Sequence, residues 1–382
     1  MAYPIPVITQ TNAAQTLAKL YLNIERSHPC PQGTEPSLLV TLPTVWANKY
    51  QILLYGSAAR HRFAVAGVTT PQDLDHISWP GPVILHTHWF GALFQGAANA
   101  READYKLEQI KDSILRFCDR VDARVIWTAH NVFPHGNEHT DAFLKLRQWI
   151  FETFDAVHIM EDHHLPVLER SFERKAPRVF TVPHMLYTGS LLNSVDQVMA
   201  RAHFGLPVKA TVFGYFGSIQ AYKRIPMLID AMDKLPSTKP AVVLIGGLAS
   251  DQKVLRELQL KIGNRSDIIL IPRKIHDHEI QYLHQASDVM VLPYCETLNS
   301  GAAMMAASFR RPFIMPQGST AKSLEPLGAQ SFDGDNPDDL ARVMALYAQD
   351  PQPELQIDEK AWHAKQSGQI SEKFFMNLER LY

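Results

Sequence analysis

Cysteine is scarce. The 382 residues hold three, Cys30, Cys118 and Cys295, far apart and without a C-x-x-C pair. That argues against a disulfide framework or a structural zinc site and points to a reducing, cytoplasmic setting. No apolar run approaches the ~18–20 residues that a helix needs to cross a bilayer, so any membrane contact is expected to be peripheral. The opening Met-Ala-Tyr-Pro-Ile-Pro lacks the basic and apolar regions of a signal peptide. Charge of one sign is not in excess: the formal net charge is -2 with 20% charged residues, which gives no support for nucleic-acid binding. No G-x-G-x-x-G follows any strand pattern, which disfavours an NAD-dependent enzyme. What is there is a hydrophobic content of 46%, that of a soluble globular protein long enough for two domains.

Apolar runs alternate with helical periodicity along the chain. Strands are expected at 5–9, 37–42, 50–55, 82–89, 124–131, 156–160 and 179–182, with helices at about 107–121, 140–154 and 165–172 between the later ones. A polar stretch with Gly-Leu-Pro at 188–210 is the expected interdomain connection. The second half repeats the logic, with strands at 211–217, 241–245, 268–271, 288–293 and 312–315. Strands alternating with helices predict an α/β protein with parallel sheets wound by right-handed crossovers. Two successive Rossmann-like halves, 1–190 and 191–364, make a central cleft the expected ligand site. The last helix, 365–382, has no strand after it and is expected to pack back on the first domain.

Three segments of the second half suggest anion binding. In Thr211-Val-Phe-Gly-Tyr-Phe-Gly217 a strand ends in glycine, and Lys223 and Arg224 follow before a helical pattern; glycine lets backbone approach a ligand and the cations balance its charge. The second segment is Pro272-Arg-Lys-Ile-His-Asp-His-Glu279. The third runs from Glu296 through Asn299-Ser-Gly301 into a helix of alanines and methionines. Free N–H groups at that helix start would carry roughly half a positive charge toward an anion. With Lys223 opposite, a diphosphate could be held between them.

The order Gly-x5-Lys, an Ala-Ser-Asp-Val-x-Val-Leu-Pro strand, a polar loop, a small-residue helix and Arg-Pro-x-Ile resembles the C-terminal half of GT-B glycosyltransferases. In detail, Tyr222-Lys223, Asn299-Ser-Gly301 and Ser308-Phe-Arg-Arg-Pro312 look similar to the xanthan-type β-mannosyltransferases, glycosyltransferase family 94, which are inverting and use GDP-mannose. His86-Thr-His-Trp89 and Thr128-Ala-His-Asn131 with Pro134-His135 are similar to that group's N-terminal segments. The resemblance implies a metal-independent, cytoplasmic hexosyltransferase of polysaccharide or glycan biosynthesis, with no cofactor beyond its nucleotide-diphosphate sugar. The acceptor would be a saccharide or a lipid-linked oligosaccharide. It places Gly217, Lys223, Arg224, Asn299, Ser300 and Gly301 at the donor diphosphate, Arg273 and Ile275 at the nucleobase, and Glu296 nearby. The retaining members of the broader family carry Glu-x7-Glu, which aligns here on Thr297 and Met305, and keep an arginine where this chain has Ser218 and Gln220. The missing acid pair fits the inverting group; without the arginine, Lys223 must carry more of the charge, or Arg224 must share it.

An inverting transferase needs a base for the acceptor hydroxyl. His130, at a strand end, is the expected active-site residue, and Glu138 in the following loop is the rival base. Histidine is abundant, 17 in all, and clusters before residue 190. His86 and His88 share a strand face, yet a metal site is not expected, and His163-His164 is expected at the surface. Asp333-Gly-Asp335 precedes a helix start and is expected to cap it. Trp149-Ile-Phe151 with Arg170, Arg174, Lys175 and Arg178 is read two ways, as a membrane-facing patch or as a buried face with a solvated edge. Two rivals stand beside the inverting mannosyl reading: a retaining transferase using a donor such as UDP-glucose, and a non-catalytic sugar-nucleotide-binding protein.

Overall fold

The structure is a computed structural model that describes residues 5–29, 34–45, 48–134, 139–236, 240–294, 298–349 and 357–382. The chain divides into two compact units. The first is Met1–Met185 with Ser367–Tyr382, and the second is Leu186–Gln366. The passage between them falls at 185/186, where the sequence reading put it at 190/191.

The first unit holds six strands: β1 Ser37–Leu42, β2 Phe63–Gly67, β3 Val83–Thr87, β4 Arg124–Thr128, β5 Ala156–Ile159 and β6 Arg178–Thr181. They pair in parallel in the order β2-β1-β3-β4-β5-β6. The near-continuous burial of β1 to β5 is what a parallel sheet covered on both faces requires, while the edge strand β6 is largely exposed. Two strand expectations are corrected. Residues 5–9 contribute only a single bridge, Val7 to Gly67. Residues 50–55 fall largely in the helix Lys49–Leu54, not in a strand. Asn48 caps that helix by accepting the Tyr50 N–H, and the buried Gln51 amide donates to Thr41 Oγ1 and the Pro43 carbonyl, both at 3.0 Å. The cap and the amide overrode an apolar run with strand character. The strand that flanks β1 is instead β2.

The helix Ser367–Leu378 packs on this unit, not on the second. Its Ile370, Phe374, Phe375 and Leu378 are buried in a core with Leu54, Tyr55, Ile84, Ile126 and Phe180. Ser371 Oγ accepts the Ser57 N–H at 2.8 Å and donates to the Leu54 carbonyl at 2.7 Å. His61 bonds two carboxylates of the same segment, Glu372 at 2.6 Å and Glu379 at 2.7 Å.

The second unit holds β7 Thr211–Phe216, β8 Ala241–Gly246, β9 Ile268–Ile271, β10 Val289–Val291, β11 Phe313–Pro316 and β12 Ala329–Phe332. The sheet is parallel in the order β12-β11-β10-β7-β8-β9, the 3-2-1-4-5-6 winding of a dinucleotide-binding fold when counted from β7. Its core gathers the β7, β8 and β10 side chains against the helices Ile225–Met232 and Pro337–Gln349. At the strand starts a buried pair, Arg201 Nη2 to Asp288 at 2.6 Å, ties the helix Gln197–His203 to the sheet, and Asp288 also accepts the Val212 N–H at 2.8 Å.

Two six-stranded parallel sheets, each wound with helices in its own unit, are the architecture of the GT-B fold. No described helix is long and apolar enough to cross a membrane. In the 149–178 region Ile150 and Phe151 are buried, while Arg174 and Lys175 make surface ion pairs with Glu152 and Glu169, the buried face with a solvated edge of the second reading.

Candidate active site

Ligands of open wound sheets bind beyond the carboxyl ends of the strands, where the winding reverses. In the second unit that place lies between β7 and β10. β7 runs into Gly217, whose φ of 153° suits glycine and whose N–H donates to the Gly246 carbonyl at 3.1 Å. Gly247 approaches so closely that a β-carbon there would stand 1.7 Å from the Gly217 carbonyl oxygen. Further along, the Ile219 N–H donates to the Leu248 carbonyl at 2.9 Å and Gln220 Nε2 bonds Ser250 Oγ at 3.1 Å. The loops after β7 and β8 are thus zipped together, and the turn Ala221–Lys223 delivers the lysine.

Lys223 Nζ lies 4.0 Å from the Tyr294 ring centroid and 4.8 Å from that of Tyr222. Among the described residues no carboxylate pairs with it. Burial pushes its ammonium down to about 8. Tyr294, buried just past β10, is hydrogen-bonded through its hydroxyl to Ser300 Oγ. Ser300 in turn caps the helix Gly301–Ser308 by accepting the Ala303 N–H at 3.1 Å. A cation, an aromatic ring and a helix N-terminus therefore stand in contact sequence, with the first-turn N–H groups and Lys223 supplying positive potential to one spot. Asn299 directly precedes the cap, and a β-carbon at Gly301 would meet the Tyr187 hydroxyl at 3.3 Å.

The other expected donor residues are placed differently. The Arg224 guanidinium donates to the Gly334 carbonyl and to Asp335 Oδ1, both at 2.8 Å. Asp335 therefore holds that arginine, and the cap of Pro337–Gln349 falls to Asn336, whose Oδ1 accepts the Asp338 N–H at 2.9 Å. Arg273 makes a bidentate pair with Glu279 at 2.7 and 2.8 Å, which holds that carboxyl down at about 2. The pair folds the loop 272–276 onto the helix Asp277–Ala286 and leaves Ile275 half-buried beside Gly246. Glu296 lies outside the described residues, as does Thr297.

In the first unit the parallel register sets His86 beside Ile126 and Thr128 beside His158. Side chains two apart share a strand face, so His86 and His88, Thr128 and His130, and His158 form one row across β3, β4 and β5. Each link is a hydrogen bond. His130 Nε2 meets His88 Nδ1 at 3.0 Å, and His88 Nε2 meets the Tyr55 hydroxyl at 2.7 Å. That hydroxyl meets His86 Nδ1 at 2.8 Å, and His86 Nε2 meets Thr128 Oγ1 at 2.6 Å. Thr128 Oγ1 meets His158 Nδ1 at 2.9 Å, and His158 Nε2 donates to the Val182 carbonyl at 2.8 Å.

His130 stands at the β4 end of the row, stacked on Trp89 with centroids 4.0 Å apart and edge-on to Tyr50 at 5.0 Å. Burial, first, and the neighbouring imidazoles and Arg147, second, hold it well below the usual histidine range. His86 and His88 are lowered in the same way, and burial takes His158 down to about 4. Phe374 of the C-terminal helix stacks on His86 at 5.1 Å and lies 5.4 Å from His158, closing the row from water. Arg147, itself buried over the Trp127 ring at 4.1 Å, is pushed down to about 9. Glu138 and His135 lie outside the described residues. His164, expected at the surface, is buried. Among the described residues no three His, Cys, Asp or Glu are arranged to hold a metal ion.

Sequence reasoning missed Tyr294, Gly247, Tyr55, Thr128 and His158 as parts of these arrangements. Two signals were there: a second glycine after the Ala241 strand, and a histidine in each of three consecutive strands or strand ends. Tyr55 gave none, because the pattern around it suggested a strand.

Comparison with known proteins bears on the fold and the activity. Residues 198–305 match the family described as Glycosyl transferases group 1. A GDP-mannose:glycolipid 4-beta-D-mannosyltransferase of Xanthomonas campestris pv. campestris is 24% identical over 72% of this chain and 71% of its own. Among solved structures, sucrose-phosphate synthase from Thermosynechococcus elongatus superposes with a TM-score of 0.69 at 14% identity, over 91% of this chain and 99% of that one. Anabaena HepE in complex with UDP-glucose gives a TM-score of 0.66 at 13% identity, over 90% and 99%. The chain is thus a glycosyltransferase with the GT-B fold. It is an enzyme, a hexosyltransferase.

Proposed function

We propose that the protein transfers mannose from GDP-mannose, with inversion, to a saccharide or lipid-linked oligosaccharide acceptor during polysaccharide or glycan assembly. The observation that carries the donor half is the contact sequence Lys223, Tyr294, Ser300 at the start of the helix Gly301–Ser308. A sugar diphosphate set there has its negative charge faced by an ammonium and by unpaired backbone N–H groups. Charge on the leaving diphosphate grows as the glycosidic bond breaks, so both groups bind the transition state more tightly than the ground state. Gly217 and Gly247 keep the loop low enough for backbone approach. Arg224 acts by fixing the turn through Asp335, and Arg273 by bracing the loop whose Ile275 and backbone receive the nucleobase. Asn299 and Gly301 flank the cap, and Glu296 is assigned to the same loop.

His130 is the proposed base for the acceptor hydroxyl, with Glu138 as the rival. Its depressed basicity keeps a lone pair available at neutral pH. The chemistry asks for no metal ion or cofactor besides the donor. Similarity to the Xanthomonas mannosyltransferase supports the choice of GDP-mannose and of a glycolipid-type acceptor, met by peripheral contact with the cytoplasmic face of a membrane. A second reading, a retaining transferase using UDP-glucose, is favoured by the likeness to HepE, whose structure contains that donor.

Two measurements decide. Thermal shift against GDP, UDP and ADP identifies the base, since a ligand at ~100 times its dissociation constant adds about 2.7 kcal/mol. NMR of the product reads the anomeric configuration: a β-mannoside supports the proposal, and an α-linked product or transfer only from UDP-glucose overturns it.

A further inference from the structure

The row from His130 to Val182 has one end that can only accept. A carbonyl has no proton to give, so His158 donates from Nε2. A neutral imidazole carries one proton, so His158 Nδ1 accepts, and the Thr128 hydroxyl must donate to it. That hydroxyl has spent its proton, so His86 donates from Nε2 and accepts at Nδ1. Tyr55 must then donate to His86, and its oxygen accepts from His88 Nε2. His88 Nδ1 is left as acceptor, and among the described residues the group that supplies a proton to it is His130 Nε2. Burial keeps each ring neutral: His86, His88 and His158 are all buried, and burial, with the neighbouring imidazoles and Arg147 after it, lowers His130.

We infer that this row is a tautomer relay, in which Tyr55, Thr128, His86, His88 and His158 fix the proton of His130 on Nε2 and so present Nδ1 as its basic nitrogen. The inference rests on the reading of His130 as the base and adds which atom acts and what positions it. When Nδ1 takes the proton of an acceptor hydroxyl, the oxygen keeps the electron pair that attacks the anomeric carbon, the bond from that carbon to the diphosphate oxygen breaks with its pair leaving on the diphosphate, and His130 becomes a cation. Its Nε2–H bond to His88 then strengthens, and the aligned bonds behind it, all pointing toward Val182, polarise in the same sense. Tyr55 and Thr128 are positioning residues: neither is asked to touch substrate.

Long-range proton–nitrogen spectra of the full-length, 15N-labelled enzyme test this directly. The wild type should show His130 protonated at Nε2 and bare at Nδ1. Tyr55→Phe and Thr128→Val should each turn that into a mixture and lower kcat about tenfold or more, with KM changed less than about twofold. Thr128→Ser, which keeps the hydroxyl, should restore both the spectrum and kcat. A wild-type proton on Nδ1, or an unchanged His130 tautomer in both Tyr55→Phe and Thr128→Val, overturns the relay. Full transfer by His130→Gln overturns the base role, and is told apart because the wild-type spectrum would still show the Nε2 proton.

Discussion

Replacing Lys223 by alanine removes one ammonium from the donor-side arrangement and little else. The side chain is half-buried on a short turn, its contacts are the Tyr294 and Tyr222 rings, and no described carboxylate is left unpaired by its loss. A unit charge about 4 Å from a phosphate oxygen is worth about 4 kcal/mol at an effective dielectric of ~20. That is roughly a thousandfold in kcat/KM. Part of the loss belongs to ground-state binding and falls on KM; the part matching charge gained on the leaving diphosphate falls on kcat. Melting temperature should not fall, because partial burial makes the ammonium a cost to the folded state and no described carboxylate pairs with it.

The same residue predicts a pH dependence of known sign. Its ordinary value of 10.5 is lowered to about 8 in the folded protein, with burial the cause. Above about 8 the folded protein has lost a proton that the unfolded chain keeps, so the stability contribution rises with pH up to about 10.5. Donor capture needs the ammonium and moves the other way: kcat/KM should fall as pH passes upward through about 8, and Lys223→Arg should abolish that limb. Initial rates of nucleoside diphosphate release against donor concentration, at a series of pH values, supply both tests. Near-wild-type transfer by Lys223→Ala, or a wild-type profile flat through pH 8 to 10, refutes the diphosphate role.

Further perturbations separate the donor-side loops from the buried row. Gly247→Ala places a β-carbon 1.7 Å from the Gly217 carbonyl oxygen, so the loops after β7 and β8 must part; thermal shift by nucleoside diphosphate should be lost while most of the fold persists in circular dichroism. Phe374→Ala opens a cavity beneath His86 and His158 and should cost about 3–5 kcal/mol in denaturant unfolding of the full chain. Acid should unfold the first unit early. Four imidazoles, His86, His88, His130 and His158, are held below their ordinary value in the folded state, so stability is full above about 6.5 and is lost as pH falls toward the folded values. The loss should already be measurable by urea titration at pH of about 5.5, below the ordinary histidine value.

How much of this was legible in sequence follows from what periodicity can carry. That both sheets are parallel was open to reading because strands buried on both faces stand out as apolar runs between helical patterns; the edge strands β2 and β12 were not among those expected. The placement of Gly217 and Lys223 after β7 and of Asn299-Ser-Gly301 at a helix start was legible too, since these are local signals of turn and helix start. Ionic commitments were not. Whether Arg224 faces a ligand or Asp335 depends on a partner 111 positions away, and Arg273 was claimed by Glu279 for reasons of cap geometry.

The histidine row shows the same boundary from the other side. His86, His88 and His130 each drew notice singly, and a count of histidines before residue 190 hinted at a cluster. What makes them one device is register. Sliding β4 by a single residue against β3 would turn Thr128 and His130 to the opposite face and leave His86 without its partner. The direction of the row is set by an unremarkable backbone carbonyl at Val182, and its continuity by Tyr55, which joins the row only because residues 49–54 fold as a helix and not as a strand. The proposed base, with its reactive nitrogen chosen six hydrogen bonds away, is therefore a property of strand pairing. It exists in no residue of the sequence taken alone, and every residue that creates it can be changed without touching His130.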